Sequence, residues 1–64
     1  MTINGKKITL QKEIPVNELL LNEGYDLNKV AVEKNGNIVP KKKFETEMLT
    51  DNDKIEIVTF VGGG

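Results

Sequence analysis

The sequence predicts an α+β domain, a mixed sheet packed on one main helix, with elements in the order β-β-α-β-β-β. Three observations predict it. Asn4-Gly5 sits between alternating apolar residues close to the start of the chain. A single short apolar stripe at helical spacing follows, made of Val16, Leu19 and Leu20. The chain then gives only strand-like runs, closing on Lys54-Ile55-Glu56-Ile57-Val58-Thr59-Phe60.

Asparagine-glycine between alternating apolar residues marks a hairpin, because a type I′ turn needs positive φ at both central positions. Placing those positions at Asn4 and Gly5 puts Met1, Ile3, Ile8 and Leu10 on one face. Pro15 then opens a short helix over Val16–Gly24. Proline suits a helix start, Glu18 suits the first turn, and Gly24 suits the left-handed position past the end. About two helical turns are unstable alone in water, so this helix must dock on a sheet.

Val30-Ala31-Val32-Glu33-Lys34 is the next strand, ended by Asn35-Gly36, and Ile38-Val39 is a short return strand stopped by Pro40. Periodicity is weak from Lys41 to Thr50, where Phe44, Met48 and Leu49 are the expected core anchors. Asp51-Asn52-Asp53 has turn chemistry. Asp51 and Asp53 are read as turn formers rather than metal ligands, since a calcium loop's glycine and closing glutamate are missing. The last strand should lie beside the first, in the middle of the sheet. A hairpin, one helix and further strands so arranged make a β-grasp, the ubiquitin-like fold, over residues 1–61, with 62–64 as a flexible Gly-Gly-Gly tail.

Composition narrows the function. The chain has 64 residues, one domain near the lower size limit for folding alone. It lacks Cys, His, Ser, Arg and Trp altogether. Serine or cysteine nucleophiles and histidine-ligated metals are therefore excluded, as are disulfides. A non-enzyme is expected, with no catalytic residue, no metal and no cofactor of its own. Nine lysines against ten acids give a net charge of −1, wrong for a nucleic-acid binder. Lys41-Lys42-Lys43 is read as a solvated loop. No apolar run approaches the roughly 18 residues of a membrane span, and a cytoplasmic domain is expected.

The final Val61-Gly62-Gly63-Gly64 is the most informative segment. Without Cβ atoms the backbone is thin, and three extended residues reach about 10 Å, enough to carry a terminal carboxylate into another protein's active site. If Ile55 and Ile57 face the helix, alternation sends Glu56, Val58 and Phe60 to the opposite face. Val58 and Phe60, with Val61, are the candidate partner-docking residues beside that tail.

Several segments together resemble the ThiS-type sulfur carrier proteins of thiamine biosynthesis. They are Ile3-Asn4-Gly5, Val30-Ala31-Val32-Glu33 with Asn35-Gly36 and Ile38-Val39-Pro40, the run Leu49 to Val58, and Val61-Gly62-Gly63-Gly64. The sequence departs from the family pattern in having Lys41 where arginine often stands, Asn52 where glycine often stands, and a bulky Phe60. The resemblance implies that Gly64 is the covalent carrier residue and that Gly62 and Gly63 give it access. An E1-like, ThiF-type adenylating enzyme would use Mg-ATP to adenylate Gly64. Sulfur from a cysteine desulfurase pathway would then give a thiocarboxylate, which a ThiG-type thiazole synthase consumes. Two alternatives share the fold: a molybdopterin-synthase small subunit, and a ubiquitin-like interaction module or protein modifier.

Overall fold

The computed structural model describes residues 1–60. Strands β1 (Thr2–Ile3) and β2 (Lys6–Lys7) form the opening hairpin, pairing Thr2 with Lys7 and Ile3 with Lys6. The two residues between them take the left-handed conformation that a type I′ turn requires, with φ of 52° at Asn4 and 83° at Gly5. Met1 and Ile3 are buried, and Ile8 and Leu10 pack against the core edge, so the expected apolar face forms.

A two-residue strand β3 (Ile14–Pro15) leads into helix α1 (Val16–Asn22). Pro15 lies just outside the helix, with extended φ and ψ of −73° and 158°. The helix ends earlier than Gly24. Tyr25 N–H donates to Leu20 O at 2.9 Å and Gly24 N–H to Leu21 O at 3.1 Å, with Gly24 at φ 82°. That is a Schellman ending, in which glycine stands one residue past the cap. Val16, Leu19 and Leu20 form the buried stripe.

A 3-10 turn at Leu27–Lys29 leads into β4 (Val30–Lys34), which turns at Asn35-Gly36 into β5 (Asn37–Ile38). A second 3-10 turn covers Lys41–Lys43, followed by β6 (Met48–Leu49) and β7 (Lys54–Thr59). The main sheet has the order β2-β1-β7-β4-β5, so the last strand lies beside the first at the centre. It runs parallel to β1 and antiparallel to β4.

Two features differ from the sequence expectation. Strands β3 and β6 pair in a small second sheet, Ile14 with Leu49 and Pro15 with Met48, adding to the expected strand order. Met48, expected in the core, is exposed, because alternation along β6 turns Leu49 inward and Met48 outward. Phe44 and Leu49 are buried as expected. The core centres on Val16, Leu20, Val32, Leu49 and Ile55, all under 2 % exposed. Burying each such side chain contributes about 1.5–3 kcal/mol.

Candidate functional site

Strand β7 is the element on which the site is built, and both neighbours fix its register. β1 sets Ile3 against Ile55, and β4 sets Val32 against Ile57 and Ala31 against Val58. The ladder continues past the strand, where Phe60 N–H donates to Lys29 O at 3.0 Å.

Two asparagine side chains extend these ladders. The Asn4 Nδ2 donates to Ile57 O at 3.1 Å while its Oδ1 accepts from Ile57 N–H at 2.7 Å. The turn side chain thus acts as one more backbone rung beside β7, where β1 has ended. Asn35 makes one such backbone bond at the start of β7, accepting from Lys54 N–H at 2.8 Å, and donates to the Asp53 carboxylate Oδ1 at 2.9 Å. Neither contact was read from the sequence, where Asn4 and Asn35 signalled only turns.

Alternation then decides which side chains serve the core. Ile55 and Ile57 are buried, whereas Glu56, Val58 and Phe60 are exposed. Val58 is 58 % exposed and Phe60 49 %. The third docking candidate, Val61, and the tail residues Gly62, Gly63 and Gly64 lie outside the described residues.

The charged candidates have structural partners. Asp51 accepts from Leu10 N–H at 2.8 Å and from the Met1 ammonium at 3.2 Å, and both contacts hold its carboxyl below the ordinary value of 3.8. Burial works on Asp53 in the upward direction, but the Thr50 N–H, the Asn35 amide and the Lys34 charge outweigh it and lower its pKa. Thr50 N–H lies 2.8 Å from Asp53 Oδ2, a bond that closes the turn before β7. Among the described residues, no group of three His, Cys, Asp or Glu side chains is placed to hold a metal ion.

Lys41, Lys42 and Lys43 are exposed on their 3-10 turn, and the Lys41 ammonium bonds the Asn28 side chain. Beside them a polar groove of about 290 Å³ is lined by Lys34, Asn37, Ile38, Lys43 and Glu47. Lys34 Nζ is already engaged there, 2.9 Å from Glu47 Oε2 and 2.9 Å from Met48 O. The Glu47 hydrogen bond raises the Lys34 pKa despite partial burial. The groove's lining holds no hydroxyl, thiol or imidazole, and its Lys34 and Glu47 are bound to each other. Among the described residues, no helix is long and apolar enough to cross a membrane.

The comparisons with known proteins agree with this architecture. The family model described as "ThiS family" matches residues 1–64. A thiazole synthase of Paramagnetospirillum magneticum is 44 % identical over 64 residues, covering 100 % of this chain and 20 % of the relative. The chain therefore spans about a fifth of that relative's length. The sulfur carrier protein ThiS of Bacillus subtilis is 37 % identical over 65 residues, covering 100 % of this chain and 98 % of the relative. The crystal structure of the thiamine biosynthesis protein ThiS from Geobacter metallireducens superposes with a TM-score of 0.81 at 33 % identity. That match covers 98 % of this chain and 96 % of the other. With sequence and fold matched from end to end, the chain belongs to the ThiS family.

Proposed function

We propose that this chain carries sulfur for thiamine biosynthesis as a thiocarboxylate on Gly64. It is a carrier and not a catalyst. The observation that carries the reading is the family match over residues 1–64, which takes in Val61-Gly62-Gly63-Gly64.

The chemistry follows from what a carboxylate lacks. The Gly64 anion is resonance-stabilised and repels nucleophiles. An E1-like adenylating enzyme joins it to the α-phosphate of Mg-ATP, releasing pyrophosphate, and the resulting acyl-adenylate has AMP as a good leaving group. A persulfide sulfur supplied by a cysteine desulfurase then attacks the carbonyl and expels AMP. A thiol cleaves the acyl-disulfide, leaving the Gly64 thiocarboxylate and a new disulfide. Thiazole synthase takes the sulfur. All catalytic groups and the nucleotide belong to partners. Val58, Phe60 and Val61 form the docking surface, and Gly62 and Gly63 keep the path to Gly64 narrow.

Intact mass tests this. After incubation with the adenylating enzyme, Mg-ATP and a sulfur source, the chain should gain the difference between one sulfur and one oxygen. A chain extended by one residue beyond Gly64 should gain nothing. The extension displaces the reactive carbonyl by about 3.5 Å, where about 1 Å can already cost a hundredfold in rate. An unchanged mass for the native chain, or sulfur on the untrimmed extended one, overturns the reading.

A further inference from the structure

The outer face of the main sheet combines apolar exposure with an unusual charge arrangement. Ile38, Val58 and Phe60 are three of the five exposed large apolar side chains among the described residues, and all belong to this face. In the same face Glu33 of β4 stands directly opposite Glu56 of β7. The flanking bonds Asn35 N–H to Lys54 O and Phe60 N–H to Lys29 O fix the phase of the ladder. They make Glu33 and Glu56 a hydrogen-bonded pair, with Cα atoms about 5.5 Å apart. Ile38 faces Glu33 from β5 in the closer, non-hydrogen-bonded position, since Val39 N–H bonds Val32 O.

Like charges directly opposite destabilise a sheet. No cation among the described residues forms an ion pair with either carboxylate. Among the described residues the ion pairs are Met1 with Asp51 and Lys34 with Glu47. On the same face Lys54 lies two residues along β7 from Glu56 and Lys29 stands opposite Phe60, each beyond ion-pair distance, and Lys7 lies further off opposite Thr2. A metal ion is a poor occupant, because two carboxylates, Glu33 half-buried and Glu56 exposed, are too few for a calcium or magnesium cage. A second copy of the chain is also a poor occupant, since face-to-face pairing would bring four carboxylates together.

We infer that this face docks a protein surface presenting an arginine between apolar side chains, the guanidinium bridging Glu33 and Glu56 while the apolar groups cover Ile38, Val58 and Phe60. A guanidinium offers five donors in a planar fork and can satisfy two carboxylates at once, which an ammonium does less well. The apolar contacts give area, and the charge pair gives register and selects against the wrong partner. Because Phe60 stands next to the tail, the occupant is the enzyme that adenylates Gly64. This inference rests on the carrier reading.

The test is carrier-dependent pyrophosphate release by the adenylating enzyme with Mg-ATP, measured against carrier concentration at several salt concentrations. Replacing both carboxylates, Glu33→Gln with Glu56→Gln, should raise KM for the carrier about tenfold and leave kcat unchanged. It should also weaken the salt dependence. The melting temperature should hold or rise, because the repulsion is gone. Glu33→Lys with Glu56→Lys should raise KM further still. A glutamine variant with KM within about twofold of the native value, the effect of an idle surface charge, overturns the inference. So does a raised KM accompanied by a lower melting temperature, because the pair would then be holding the fold. If the native chain itself supports no turnover, the carrier reading falls and takes this inference with it.

Discussion

The two faces of β7 are one residue apart in sequence and differ in what they demand of their side chains. On the inner face Ile55 and Ile57 are 0 % and 5 % exposed, packed against a core that includes Leu20 and Leu49. On the outer face Val58 and Phe60 keep about half their surface in water, beside the opposed Glu33 and Glu56. An apolar side chain left in water contributes little to folding. The inner face therefore explains why the chain folds, and the outer face is available for recognition. A family whose chemistry belongs to its partners needs both on one strand, because that strand leads into the tail that carries Gly64.

The largest effect should come from breaking the inner face. Ile57→Ala removes buried methyl groups from the central strand and should cost roughly 2–4 kcal/mol of unfolding free energy. For a domain this size that is a large share of the total stability. Urea titration followed by circular dichroism reads it. A midpoint close to that of the native chain would mean that β7 is not the centre of the core.

The Asn4 contact sits between the two faces and sharpens the comparison, because it holds the strand and neither of its surfaces. Asn4→Gly keeps the left-handed turn, since glycine accepts φ near 52° without strain. It removes both amide bonds to Ile57. Two lost bonds at a partly buried site should cost about 1–2 kcal/mol. Hydrogen exchange should localise the change to the Ile57 amide. Unaltered protection at Ile57 would show that the side chain adds nothing to the ladder.

Truncating the outer face should leave stability alone. Phe60→Ala is expected to shift unfolding free energy by no more than about 0.5 kcal/mol, as for an ordinary surface position. It should nevertheless raise KM for the carrier in the adenylation reaction. If the variant unfolds, Phe60 belongs with Ile57; if KM does not move, it is a scattered surface apolar residue.

Much of this division was legible in the sequence, because it depends on short-range rules. A two-residue Asn-Gly turn sets the register of its hairpin, and period-two alternation sorts Ile55 and Ile57 from Val58 and Phe60. Gly24 marked the helix end for the same local reason. Long-range contacts were not legible. Asn4 reaches Ile57 across 53 residues, and Asn35 reaches Lys54 across 19. Strands β3 and β6 have two residues each, too few to show a period, so Pro15 read only as the helix start that it is, its pairing with Met48 went unread, and Met48 read as core. The opposition of Glu33 and Glu56 appears only once β4 and β7 are paired in register.

The smallest effect concerns acid, and it tests whether the turn before β7 belongs to the stabilising side of the comparison. Asp51 and Asp53 both have pKa values depressed below 3.8 in the folded chain, through Leu10 N–H and the Met1 ammonium for Asp51 and through Thr50, Asn35 and Lys34 against burial for Asp53. A carboxylate with a depressed folded pKa binds its proton more readily when the chain is unfolded. Its contribution is therefore complete above about pH 4 and is lost as pH falls through the folded value. The double variant Asp51→Asn, Asp53→Asn should be less stable than the native chain at pH 6, because an amide has one acceptor oxygen where Asp53 uses two, for Thr50 N–H and for Asn35 Nδ2. It should then lose less of its melting temperature between pH 6 and pH 3, so the two profiles converge on acidification. Asp51 is exposed and Asp53 only half-buried, so the convergence should be modest. Parallel profiles would mean that neither carboxylate is held in its charged form by the fold, and that the turn before β7 is kept by its backbone alone.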